Sequence, residues 1–175
     1  MHNLKPVRLN ELKLEATFLL KDLKNNSRQT SETLSRFKVI PSLFNKADTL
    51  ITQGKHVKLK HAYQVLALER GFKNWSDLKH FVVEKDCLYR PHLVPYVHSW
   101  FKQYQSAMEY HQKHGGYLLA FWGDIIVCGE EYIKGLELDV CQAEWQAVAY
   151  DWVRPMDQMA WQVLSEKAKS NYLKL

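Results

Sequence analysis

The sequence predicts a mainly helical α+β protein, with an N-terminal helical bundle followed by a small helix-plus-β-hairpin domain. Three observations predict it. Apolar residues recur at steps of three and four over most of the first half. The period then changes at two β-prone runs, YLLAFW and IIVC, separated by Gly123-Asp124. Five of the six tryptophans, Trp100, Trp122, Trp145, Trp152 and Trp161, fall in the second half. The expected boundaries are a basic all-helical module over 1–86, a linker over 87–95 and a tryptophan-rich α+β module over 96–175.

In the first module, Leu9, Leu12, Ala16, Leu19 and Leu23 form one apolar stripe of an amphipathic helix. Asn25 and Asn26 end it in the polar stretch KNNSRQTSE. Thr30 or Ser31 caps a second helix carrying Leu34, Phe37 and Ile40, which Pro41 stops. A third restarts at Ser42, buries Leu43, Phe44, Ala47, Leu50 and Ile51, and ends at Gly54.

The strongest local agreement lies between Leu59 and Val83. Leu59, Ala62, Val65, Leu66 and Leu68 share a broad helical face. Gly71 supplies the left-handed conformation of a C-cap, and Phe72 the apolar contact that closes it. Asn74 caps the next helix with Asp77 at its third position, and Trp75, Leu78, Phe81 and Val82 follow at helical spacing. Ala67, four residues before Gly71, has the spacing of a DNA-binding helix-turn-helix, but Asp77 and His80 stand where that unit is apolar. The other reading is a packing hairpin that buries Phe72 and Trp75.

The same residues carry a resemblance. Ala62, Val65, Ala67, Gly71, Phe72, Trp75, Leu78 and Lys79 match A-x-x-V-x-A-x-x-x-G-F-x-x-W-x-x-L-K, and the stretch resembles the small bacterial glyoxalase-related protein domain. Coverage extends loosely over residues 5–86. The resemblance implies a helical unit found beside glyoxalase-like or ankyrin-repeat segments. It carries no catalytic residue onto this chain and does not imply glyoxalase activity.

In the second module, Pro95 opens a helix whose face is Val97, Trp100, Phe101, Tyr104, Ala107, Met108 and His111, ended by Gly115-Gly116. A hairpin turning at Gly123-Asp124 follows, apolar on both faces and so covered by helices on at least one side. Three helices complete the chain: Glu130–Leu136, one with Ala143, Ala147 and Val148 inward, and one with Met156, Met159, Ala160, Val163 and Leu164 inward. The tail after Ala168 is expected to fray.

The function classes follow from charge and chemistry. Residues 1–86 carry a net charge of +7 and residues 87–175 a net of −2. This asymmetry suggests an anionic partner for the first module, or a solvated lysine-rich surface. Lys55, Lys58, Lys60 and Lys73 are the candidate nucleic-acid contacts, with His56 and His61 in the same cluster. Trp145 and Trp161 fall off the main apolar faces and, with Arg154, are the candidate protein-binding residues. Arg154 pairs with Asp151 or Asp157, or receives an anionic group from a partner.

No catalytic constellation is found. His111 and His114 have metal-compatible spacing but no completing carboxylate or cysteine. Cys128 reads as a buried strand thiol or a nucleophile near a helix start, and Glu130 and Glu131 point in different directions. No P-loop or dinucleotide fingerprint occurs, and no metal or cofactor is expected. The absence of any apolar run near the roughly 18 residues that span a bilayer, and three cysteines without CxxC spacing, suggest a cytoplasmic protein. The expected function is a non-enzymatic bacterial accessory protein that binds another protein, or itself, through the aromatic module. The alternative is a nucleic-acid-binding regulator using the basic module.

Overall fold

A computed structural model describes residues 4–25, 30–40, 43 and 57–175. The fold is mainly helical with one small antiparallel sheet, the expected α+β class. The chain divides into two compact units, Met1–Val82 and Val83–Leu175.

The first unit packs α1 (Leu9–Lys24), α2 (Thr30–Phe37) and α3 (Leu59–Glu69) around one core. Ala16, Leu19 and Leu23 of α1 meet Phe37, Ile40, Val57, Ala62, Val65 and Leu66. All five residues of the expected α1 stripe are buried, and Asn25 is the C-cap. Ions tie the same helices at the surface. The Arg36 guanidinium forks onto Glu69 at 2.7 and 2.8 Å, and Glu15 accepts from both Arg36 and Arg70. Glu69 is the largest cause holding the Arg36 pKa above its ordinary value.

α3 ends in a Schellman motif: Phe72 N–H donates to Ala67 O at 2.9 Å and Gly71 N–H to Leu68 O at 3.0 Å. Gly71 takes φ 79°, which a residue with a Cβ adopts at a cost. Asn74 then accepts from Asp77 N–H at 2.9 Å and opens α4 (Trp75–Asp86). Phe72 is buried against Phe81, while Trp75 is half-buried and stacks on Tyr63 at 4.3 Å. Asp77 and His80 are exposed, so their polarity suits a packing hairpin. The expected helix over 42–51, its stop at Gly54, the side-chain cap at Thr30 or Ser31, and Lys55 and His56 lie outside the described residues.

In the second unit the sheet has the order β1 (Val97–Phe101), β3 (Asp124–Cys128), β2 (Tyr117–Phe121). α5 (Tyr104–His114) lies on one face, where Ala107, Leu118 and Val127 form the core with Phe101, Met108 and Ile125 around them. The segment 150–152 runs along the outer edge of β2, with Leu118 N–H donating to Tyr150 O and Trp152 N–H to Leu118 O, both at 2.9 Å. An edge that would otherwise invite pairing with another chain is thereby covered.

Several expectations are corrected here. The helix expected from Pro95 begins only at Tyr104, because Val97–Phe101 pairs with β3 and alternates between half-buried and exposed. Val97, Ser99 and Phe101 satisfy period two while Val97, Trp100 and Phe101 satisfy a helical pattern, and pairing with β3 decides between them. The hairpin turns at Trp122-Gly123, one residue earlier than expected, since Phe121 pairs with Asp124. Residues 87–95, expected as a linker, pack inside the second unit: Cys87, Leu88, Arg90 and Leu93 are buried, and Pro91–Tyr96 forms a 3-10 helix. After α6 (Glu130–Gly135), α7 (Gln142–Ala147) buries Cys141, Trp145 and Val148, while Ala143 and Ala147 face out. The last helix, α8, runs over Gln158–Leu173 with Leu164, Ser165, Ala168, Asn171 and Tyr172 inward. The tail expected to fray is therefore part of the packed helix.

Candidate functional site

The rotation of α8 relative to expectation creates the most unusual surface of the second unit. Met156, Met159 and Val163, expected inside, are exposed at 82%, 79% and 49%. Met159 and Val163, four residues apart, share one side of the helix start, and Met156 lies just before the N-cap. Asp157 fixes that start by accepting from the N–H groups of Met159 and Ala160 at 2.8 and 3.0 Å.

Beside the same helix lies a cleft of about 210 Å³ lined by Glu84, Lys85, Ala120, Phe121, Trp122, Trp152, Val153 and Trp161. Its walls are held firmly. Trp122 sits in the turn at φ 55°, a conformation costly for a bulky residue. Its backbone N–H reaches Lys85 O at 3.0 Å, and its indole N–H donates to Asp86 at 2.8 Å. Trp152 lies 5.6 Å from Trp161 and 6.2 Å from Trp145, a run of indoles from core to cleft.

Asp86 is buried and accepts from both Trp122 and the Tyr172 hydroxyl. Arg90, also buried, stacks over the Tyr172 ring at 5.1 Å and donates to the carbonyls of Cys87 and Tyr89. Burial is the main cause lowering its pKa from the ordinary arginine value.

The three expected protein-binding residues have different fates. Trp145 is fully buried, and its indole N–H donates to Leu138 O at 3.0 Å. It is a core residue, which corrects the surface expectation. Trp161 is half-buried on the cleft wall. Arg154 is exposed, with its guanidinium 4.0 Å above the Tyr104 ring. Neither expected carboxylate pairs with that guanidinium. Asp151 accepts from the Tyr104 hydroxyl at 2.6 Å and from the backbone of Val153 and Arg154, while Asp157 caps α8. Burial, then the hydrogen bond to Asp151, push the Tyr104 hydroxyl up to about 12.

Of the basic candidates, the three described ones do not form one patch. Lys58 and Lys60 are exposed at the start of α3, whereas Lys73 is exposed beyond its end. α3 has 11 residues, so about 16 Å of helix separates them. His61 accepts from Lys58 N–H at 3.1 Å, and burial followed by the charges of Lys60 and Lys58 lower its pKa.

The chemical candidates are engaged structurally. Cys128 is fully buried and donates to Tyr117 O, and burial pushes its thiol far above the ordinary range. Burial likewise pushes Cys87 up to about 12. A His111 ring nitrogen lies 3.0 Å from Gly116 O, and His114 packs against Tyr110. Among the described residues, no three His, Cys, Asp or Glu side chains come together as a metal site. No described helix is long and apolar enough to cross a membrane. The exposed Met159–Val163 side of α8 is what residue periodicity missed. Its signal was present in the sequence, because Leu164, Ala168 and Tyr172 form a competing inward stripe of their own.

No protein-family model matches the chain, and no curated protein or solved structure matches it either.

Proposed function

We propose that this is a non-enzymatic binding protein whose second unit engages another protein through the exposed start of α8. The observation that carries this reading is the exposed apolar side chains of Met156, Met159 and Val163 at the start of α8. Methionine is flexible and polarisable, and it is favoured where one surface must adapt to a partner. Arginine is among the residues that most often anchor such contacts, and Arg154, a few residues before α8, is exposed. The buried, protonated state of Cys128 and the backbone engagement of His111 favour binding over catalysis. In this reading the first unit is a helical module of the glyoxalase-related type. The test is affinity capture with the intact chain and with Met159→Lys/Val163→Lys, alongside sedimentation of each. A partner, or a second copy, held by the parent and lost from the double variant supports the reading. Identical partners and identical sedimentation for both oppose it.

A second reading, a nucleic-acid-binding regulator, draws on Lys58 and Lys60, which are exposed and have no carboxylate partner among the described residues. Such binding is electrostatic and weakens steeply with salt. Titration of mixed DNA and RNA at two salt concentrations, with Lys58→Glu/Lys60→Glu as control, tests it. Salt-insensitive or absent binding removes this reading.

A further inference from the structure

We propose that α1 pairs the chain with a second copy of itself: two α1 helices lie antiparallel, Leu14 of each against Phe18 of the other, with Glu11 and Lys21 forming ion pairs at both ends. This surface belongs to the first unit and does not depend on the α8 reading above. The inner stripe of α1 already serves the core of that unit, yet the helix carries apolar residues on its outer side as well. Leu14 is 55% exposed and Phe18 52% exposed, one turn apart and therefore on the same side.

The spacing of that side suits a helix as its occupant. Glu11, Leu14, Phe18 and Lys21 recur at steps of three, four and three, the spacing of a coiled-coil seam, and all four are exposed. Their order suits a second copy. Leu14 and Phe18 lie two residues either side of Ala16, and Glu11 and Lys21 lie five either side of it. A two-fold axis at Ala16 therefore sets each leucine opposite a phenylalanine and each glutamate opposite a lysine, twice in every pair of chains. Parallel helices would instead set Glu11 against Glu11 and Lys21 against Lys21, so charge selects the antiparallel arrangement.

Both ions are able to serve. Among the described residues, Lys21 has no carboxylate within ion-pair distance. Glu11 accepts from Arg8 N–H at 3.1 Å and lies 4.0 Å from its guanidinium, which leaves carboxylate lone pairs for a second cation. Exposed pairs of this kind add little energy and act chiefly to fix the register, while the leucine and phenylalanine contacts supply the burial. α1 has 16 residues, so its outer side is about 24 Å long and about 10 Å wide. That area is smaller than the roughly 800 Å² per partner of a stable interface, so monomer and dimer exchange at micromolar concentration or above.

The experiment is sedimentation of the intact chain from about 5 to 500 μM, where the mean mass should climb toward that of two chains. Phe18→Gln should weaken the association about tenfold, and because the side chain is half exposed the variant keeps its fold by circular dichroism. Glu11→Lys and Lys21→Glu should each weaken it about fivefold, since each pair of chains holds the contact twice. Mixing these two single variants should restore association, because each lysine then meets a glutamate; a variant with a damaged helix start would not recover in this way. A parent that stays monomeric throughout, association indifferent to Phe18→Gln, or no recovery in the mixture overturns the proposal. Met159→Lys/Val163→Lys keeps the two surfaces apart. If it leaves the association unchanged, α1 is supported as the contact; if it abolishes the association, the copies meet at α8 and the present proposal falls while the α8 reading gains.

Discussion

The hydroxyl of Tyr172 donates to the carboxylate of Asp86 at 2.6 Å, joining residues 86 positions apart in the chain. The same carboxylate accepts from the Trp122 indole, so one buried acid holds the final helix and the hairpin turn. The cleft wall depends on this junction, because Trp122 is strained at φ 55° and needs its anchor.

Tyr172→Phe removes one donor and leaves Asp86 with its other partners. The expected loss is about 1–2 kcal/mol, read from the urea midpoint. Asp86→Ala removes the acceptor shared by the phenol and the indole and should cost more, about 2–4 kcal/mol. Tryptophan fluorescence should also respond to Asp86→Ala, since Trp122 loses its tether.

Trp145 and Met159 reverse the roles that periodicity suggests for them. Trp145→Ala opens a cavity in a fully buried site and removes one of the two donors to Leu138 O, so about 3–5 kcal/mol should be lost. Met159→Lys changes a side chain that is 79% exposed and should alter stability by no more than about 0.5 kcal/mol. Thermal unfolding of the two variants compares them directly. A large loss from Met159→Lys would show that this side chain is covered within the chain itself.

How far the sequence was legible depended on whether local signals competed. α1 was readable because five leucine and alanine positions lie on one stripe, and all five are buried. The turn after α3 was readable because glycine, phenylalanine and asparagine each have a local physical role there. β1 was not, because its five residues fit both periods and only its pairing with β3 decides. Periodicity misphases α7 and α8 by turning alanine and methionine inward, whereas Leu164 is buried as expected and the heavier Trp145 and Tyr172 set the rotation. The cleft joins residues 84–85, 120–122, 152–153 and 161, a set that no spacing in the chain announces. Of its lining, only Trp161 is among the binding candidates that the sequence suggests.

Gly71→Ala tests the turn between α3 and α4 without touching the core. At φ 79° an alanine is strained, so about 1–2 kcal/mol should be lost. Gly123→Ala is the control, since nothing lies within 4 Å of a Cβ there and its φ is not in the strained range. Equal midpoints for the two variants would show that the Schellman turn relaxes to accept a side chain.

Alkaline pH should destabilise the second unit through its buried thiols. Cys87 ionises ordinarily near 9.0, and burial pushes it up to about 12; Cys128 shifts in the same direction. Both groups are therefore protonated in the folded chain while the unfolded chain is losing those protons. Between pH 9 and 12 the folded state binds more protons, so stability falls as pH rises, by up to about 1.4 kcal/mol per pH unit for each thiol. Below pH 9 this contribution is fully present. Urea midpoints measured from pH 8 to pH 10.5 should thus decline, and Cys128→Ala should make the decline shallower. Prompt labelling of all three cysteines by a thiol reagent in the folded protein would contradict the burial on which this dependence rests.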